Sequence, residues 1–230
     1  MASRLRTLVI GHDHVAGLGY FGQALDALGF DLHPVTVVPE CRFTSPNVSY
    51  DYPPPADWDA VITVGAPWPR SQTESWWPSE VELLRRSHEQ GTPTIGICFG
   101  GQLLTEALGG STEPARTERV GWFCIAPRDD CVPEGPWFQW HSDQIVPPPH
   151  STVLATSEDG CEAFVLGHSV AIQFHPEMNS ALLRDWLSVP GMNAQDQRFR
   201  DLLARTIEVD DAALRRRVSV LARRLNDLIR

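Results

Sequence analysis

TPTIGICFGGQLLTEALGG, residues 92–110, reads as a buried strand that runs directly into a helix. Thr94, Ile95 and Ile97 are the β-branched core of a short interior strand, while Leu103, Leu104, Ala107 and Leu108 recur on one helical face. Cys98 stands at the junction, with Gly96, Gly100 and Gly101 around it. Small residues there let the backbone turn tightly and push the cysteine side chain out of the sheet. The helix start behind it leaves unpaired N–H groups and a partial positive charge, which favour thiolate over thiol and can hold a developing oxyanion. A cysteine so placed is a candidate nucleophile. A buried structural cysteine is the plainer alternative, and it is the reading that suits Cys41, Cys124, Cys131 and Cys161.

The same alternation continues on both sides. Residues 6–10 (RTLVI) read as a buried strand, and residues 16–29 follow with apolar positions at helical spacing up to Gly29. Leu32 to Val38 makes a second strand, the Pro-rich aromatic stretch 39–57 a long loop, and WDAVITVG (58–65) a third strand. Ser79 and Glu82 form a capping-box pattern after Pro78, which opens a helix over 79–90 that closes before Gly91. Beyond residue 119 come strand-like runs with little helix between them (VGWFCIAP, WFQWH, TVLATS, EAFVLG, VAIQF), and helix returns after 178. The pattern predicts a three-layer α/β fold of flavodoxin-like kind. Its central sheet is mostly parallel, with an antiparallel extension and C-terminal helices. One domain over 1–230 is expected, with 191–230 as a helical extension.

Composition narrows the chemistry. A chain of 230 residues, 42% hydrophobic, can bury one substantial core. No window approaches the ~18 uncharged apolar residues of a membrane span, and the short run Leu8–Ile10 lacks the features of a signal peptide. All 19 basic residues are arginine, so Schiff-base catalysis and a P-loop lysine are excluded. A net charge of −10 argues against nucleic acid as partner. The five cysteines are an odd number without metal-ligand spacing, which fits a reducing cytoplasm.

A second constellation lifts Cys98 above the plain alternative. In VAIQFHPE, residues 170–177, a buried strand ends in His175, Pro176 and Glu177, and the proline keeps His175 extended. A histidine there can take a proton from a thiol and return it to a leaving amine, while a glutamate fixes its tautomer. By itself, HPE reads as a surface turn. Taken together, Gly96, Cys98, Gly100 and Gln102 in a GxCxGxQ turn, and Phe174–Glu177 as FHPE placed 77 residues after the cysteine, resemble the class I (triad) glutamine amidotransferases. The likeness covers nearly the whole chain and is strongest toward free-standing members similar to the glutaminase domain of GMP synthase.

That resemblance implies a Cys98–His175–Glu177 triad that breaks the γ-carboxamide of glutamine, or of another γ-glutamyl compound, through a thioester, with no cofactor and no metal. It assigns the oxyanion donors to the N–H of Phe99 and to a loop matching VGAPWP, with Gly65 as the candidate and Ala66 as a mild departure from the usual GGP or GSP. It makes Gln102 a liner of the glutamine site, and WHSDQI (140–145) supplies Ser142 and Asp143 for the α-amino and α-carboxylate groups. Two functions stay open. One is a glutaminase that supplies ammonia to a separate synthetase or acceptor subunit; the other is a self-sufficient γ-glutamyl hydrolase or peptidase. Trp137, Phe138 and Trp140 read first as core or edge packing and second as walls of a wider pocket. His12, Asp13 and His14 read as a loop near the active-site rim rather than a metal site. The stripe Leu214, Val218, Leu221, Leu225 and Leu228 fits packing against its own domain ahead of a homodimer seam or a docking face.

Overall fold

The structure, a computed structural model, describes residues 3–192, 195–209 and 212–230. Residues 193–194 and 210–211, within the expected helical extension, lie outside the described residues. Five strands form the parallel half of the sheet: β1 (Leu5–Gly11), β2 (Phe30–Thr36), β3 (Ala60–Thr63), β4 (Thr94–Ile97) and β10 (Ser169–Ile172), in the order β2-β1-β3-β4-β10. The antiparallel half continues from β10 through β9 (Cys161–Leu166) and β7 (Pro136–Val146) to β5 (Ser111–Cys124). Two further strands, β6 (Ala126–Pro127) and β8 (Thr152–Thr156), pair with each other, and β8 also pairs with β9. The expected parallel centre and antiparallel extension are both present.

Strand periodicity explains the layers. On β1, Leu8 and Ile10 face a cluster that holds Leu83 and Leu84 of α2 (Trp77–Glu89) and Leu103 and Leu104 of α3 (Phe99–Ala107). Val9 faces the opposite cluster, with Phe21 and Leu25 of α1 (Gly19–Ala27) and Leu214, Val218, Leu221 and Leu225 of α6 (Ala212–Ile229). Successive strand residues point to opposite faces, so a strand covered on both sides must be apolar throughout, as these runs are. The C-terminal stripe therefore packs against its own sheet. Its last member differs: Ile229 is buried and Leu228 is 39% exposed. A smaller third cluster gathers Phe138, Met178 and Leu183 under α4 (Ser180–Trp186) and α5 (Gln197–Val209).

Several boundaries move. The second strand runs Phe30–Thr36 rather than to Val38, α1 begins at Gly19, and β5 begins at Ser111, with its register against β7 shifting between Pro114 and Arg119. The capping box does not form. Helix α2 starts at Trp77 with Pro78 in its first turn, which leaves Ser79 inside the helix and Glu82 on the surface paired with Arg85. Proline suits that first turn because its missing N–H would have no partner there anyway. Among the described residues no helix is long and apolar enough to cross a membrane.

Candidate active site

Strand β4 ends at Ile97 and α3 begins at Phe99, so Cys98 alone makes the turn, at φ 53° and ψ −112°. A non-glycine residue pays for such a conformation, and it persists only where the surroundings impose it. Here they do. The Cys98 N–H donates to the Ile172 carbonyl at 2.7 Å and the Gly100 N–H to the Val64 carbonyl at 2.9 Å, so both neighbouring strands grip the turn. A methyl group on Gly96, Gly100 or Gly101 would lie 2.6, 2.5 and 2.6 Å from the backbone oxygens of Gly100, Thr63 and Ile172. These glycines are therefore required by the close approach of three backbones.

His175 follows β10. Its N–H donates to the Phe138 carbonyl at 2.8 Å, which pins the histidine to β7, and the Met178 N–H donates to its carbonyl at 3.3 Å to close the His-Pro-Glu turn. The imidazole Nδ1–H donates to Glu177 Oε1 at 2.7 Å, a bond that fixes the tautomer and leaves Nε2 for the cavity. Glu177 is buried in turn against the start of α1. The Tyr20 N–H donates to its carbonyl at 3.4 Å, and Gly19, at φ +42°, sits where a Cβ would fall 1.9 Å from that oxygen.

The electrostatics favour a charged imidazole. Burial works against the imidazolium of His175, but attraction to Cys98 and Glu177 outweighs it and pushes the pKa up to about 10. The neighbouring His141 goes the other way, to about 4, because burial and the His175 charge both oppose a second cation. It stays neutral and donates from Nδ1 to the Asp143 carbonyl at 2.8 Å. The sulfur of Cys98 lies 3.8 Å from the Trp140 carbonyl and 3.9 Å from Gln173 Nε2. Burial lifts the thiols of Cys131 and Cys161 to about 11 and about 12, which disfavours the thiolate at both.

These groups open on a cavity of about 300 Å³. Cys98, Phe99, His175 and Glu177 line it together with Gly65, Gln102, Ser142 and Asp143, so the residues expected to form the triad, the oxyanion site and the glutamine site all reach one space. Gly65 lies close beside both Cys98 and His175: a Cβ there would lie 3.2 Å from His175 Cε1 and 3.8 Å from Cys98 Cβ. Trp137 and Phe138 are wholly buried packing residues, whereas Trp140 lines the cavity. Trp68, Trp186, Val189 and Met192 add apolar surface to the lining. Trp186 stands edge-on to His175 at 5.1 Å between ring centres. No spacing pattern pointed to Trp186 or Met192, because both follow the His-Pro-Glu turn on segments whose path depends on tertiary packing.

Of the three residues after β1, His14 is exposed and Asp13 lines the cavity, as a loop at the rim should. His12 departs from that reading. It is fully buried, and its ring binds the Gly65 carbonyl on one side and the carboxylate of Glu80 on the other. Among the described residues no three His, Cys, Asp or Glu side chains gather as metal ligands.

The chain resembles solved structures over almost its whole length. A glutamine amidotransferase from Thermotoga maritima superposes with a TM-score of 0.78 at 23% identity, covering 96% of this chain and 98% of that one, and shows the fold. Among curated proteins, the GMP synthase (glutamine-hydrolysing) of Thermomicrobium roseum is 31% identical over 165 residues, 61% of this chain but only 29% of that enzyme. Gamma-glutamyl peptidase 3 of Arabidopsis thaliana is 26% identical over 66% of this chain and 68% of its own length. The matched stretch spans 20% to 29% of the first GMP synthases it resembles. Residues 33–185 match the family profile described as glutamine amidotransferase class-I. With a fold and a family profile that agree, the chain belongs to the class-I glutamine amidotransferases.

Proposed function

We propose that the chain hydrolyses the γ-carboxamide of glutamine through a thioester on Cys98 and hands the ammonia to a separate synthetase or acceptor-bearing partner. The observation that carries this reading is the arrangement at the strand-to-helix turn. Cys98 is held in a strained turn beside an imidazole whose Nδ1 is tied to Glu177 and whose pKa of about 10 keeps it protonated at neutral pH. The sulfur adds to the carboxamide carbon, and the oxyanion that forms is met by backbone N–H groups of the Gly65 loop and of Phe99, the first helical residue, which has no carbonyl a turn earlier to bond. His175 gives its proton to the leaving nitrogen, the C–N bond breaks, and ammonia departs. The neutral imidazole then takes a proton from water, whose oxygen attacks the thioester and releases glutamate. Gln102, Ser142 and Asp143 hold the amino-acid end of the substrate. The similarity to GMP synthases supports transfer of the ammonia to a partner.

A second reading has its own support: the apolar surface of Trp68, Trp186, Val189 and Met192 suits a leaving group larger than ammonia, and a gamma-glutamyl peptidase is among the similar proteins. A γ-glutamyl amine or peptide would then be the substrate, cleaved by the same steps. Glutamate release from glutamine and from a panel of γ-glutamyl amides, measured for the wild type and for Cys98→Ala, separates the two. Turnover of glutamine that rises with a partner supports the first reading. Turnover of the larger amides at a higher kcat/KM than glutamine supports the second. Hydrolysis undiminished in Cys98→Ala would sink both.

A further inference from the structure

We infer that the buried pair of His12 and Glu80 is a positioning device for the backbone that stabilises the oxyanion: it sets the plane of the Gly65–Ala66 peptide so that the Ala66 N–H faces the cavity. The inference rests on the hydrolase reading above.

His12 directly follows β1, and its ring is enclosed on every side. Nδ1 lies 3.0 Å from the Gly65 carbonyl, and Nε2 lies 3.0 and 3.2 Å from the two oxygens of Glu80. The same carboxylate accepts the hydroxyl of Thr63 at 2.5 Å and that of Tyr52 at 2.8 Å. Trp76 stacks on one face of the imidazole at 5.1 Å, and Phe99 meets it edge-on at 5.2 Å. His12, Glu80 and Trp76 have no exposed surface. Five chain segments thus meet at the pair: the end of β1, the end of β3, the first turn of α2, the first residue of α3, and the 39–57 loop through Tyr52.

The carbonyl of Gly65 can only accept a hydrogen bond, so Nδ1 must donate. One proton then lies between Nε2 and the carboxylate. Burial opposes charge on both partners, yet each holds the other ionised, raising His12 and lowering Glu80. The described peptides are all trans, and in a trans peptide the N–H points opposite to the C=O. With the Gly65 carbonyl drawn inward to His12, the N–H of the same peptide, which belongs to Ala66, is directed outward. Ala66 lines the cavity. Phe99, whose N–H flanks Cys98 from the other side, rests its ring on the same imidazole, so both donor-bearing segments lean on one buried group. A buried ion pair adds little stability over an apolar pair of the same shape. What an apolar pair could not do is hold a carbonyl.

The test is kinetic. The double variant His12→Phe with Glu80→Leu removes both charges together; it should fold, with a thermal midpoint below that of the wild type because the Thr63 and Tyr52 hydroxyls and the Gly65 carbonyl lose their partners. Its kcat for glutamate release, on the best substrate of the panel, should fall about ten- to hundredfold with KM changed less than about threefold, as expected when an oxyanion donor is misdirected. His12→Asn places an amide donor near the position of Nδ1 and should recover most of the loss. If the folded double variant keeps kcat within twofold of the wild type, the inference is overturned. It is overturned equally if His12→Asn, folded, loses at least tenfold, or if KM rises as much as kcat falls. A wild type that releases no glutamate from any substrate, with Cys98→Ala identical to it, is a separate outcome and refutes the hydrolase reading instead.

Discussion

Replacing Glu162 by glutamine should make the protein more stable at pH 8 and leave it unchanged at pH 4. Glu162 lies on β9 with 2% of its surface exposed, and its backbone carbonyl accepts the Gln173 N–H at 2.8 Å, just before the histidine turn. Burial pushes its carboxyl up from 4.5 to about 7, although Ser157, Gln139 and Arg119 pull the other way. The folded state therefore binds a proton that the unfolded state has released between those two values, and stability falls as pH rises through that window. At about 1.36 kcal/mol per pH unit, the full penalty above pH 7 is roughly 3 kcal/mol. Glutamine keeps the shape and carries no charge, so Glu162→Gln should gain up to that amount at pH 8, about 6–12 °C in Tm for a chain of this size. Urea unfolding of both proteins at pH 4, 6 and 8 would measure it. A gain that is equal at all three values, or a loss at pH 8, would refute the assignment of a buried, protonation-dependent carboxyl.

Under the proposed mechanism the rate of glutamate release should hold through neutral pH and fall as pH rises through about 10, where His175 would lose the proton assigned to the leaving nitrogen. The same raised pKa contributes stability that is complete below about 6.5 and disappears through about 10. A pH–rate profile checks the first, and an alkaline limb near 7 would contradict it. Leu221→Ala, at a fully buried site under the sheet, should cost about 2–5 kcal/mol in denaturant unfolding. Leu228→Ala, at a site 39% exposed, should stay within about 0.5 kcal/mol, since the C-terminal stripe serves its own core.

The strand-to-helix turn at Cys98 was legible in the sequence because its signals sit close together in the chain. Its three glycines fall within six residues, although only Gly96 answers to the unit itself, through the Gly100 carbonyl; Gly100 and Gly101 are demanded by the Thr63 and Ile172 carbonyls of the neighbouring strands, and the strands on either side must be apolar on both faces. The second motif was legible for the same reason: His175, Pro176 and Glu177 form one turn, and the bond that orients the imidazole spans two residues. Local pattern misled where two signals competed. Ser79 and Glu82 have the spacing of a cap, but Pro78 suits the first turn of a helix that starts earlier, so the cap never forms.

By itself, then, the sequence determined the strand-to-helix unit around Cys98, the His-Pro-Glu turn that follows β10, and the parallel centre of the sheet. Each of these follows from residues a few positions apart, or from one periodic pattern. Only the tertiary structure decided that His12 leaves the rim to pair with Glu80, 68 residues away, that Trp186 closes on His175, and that the last helix turns Ile229 rather than Leu228 inward. The physical reason is common to all three. A buried charge is tolerable only beside its partner, and a side chain is apolar-covered only where another element lies, so both depend on which distant segments the fold brings into contact.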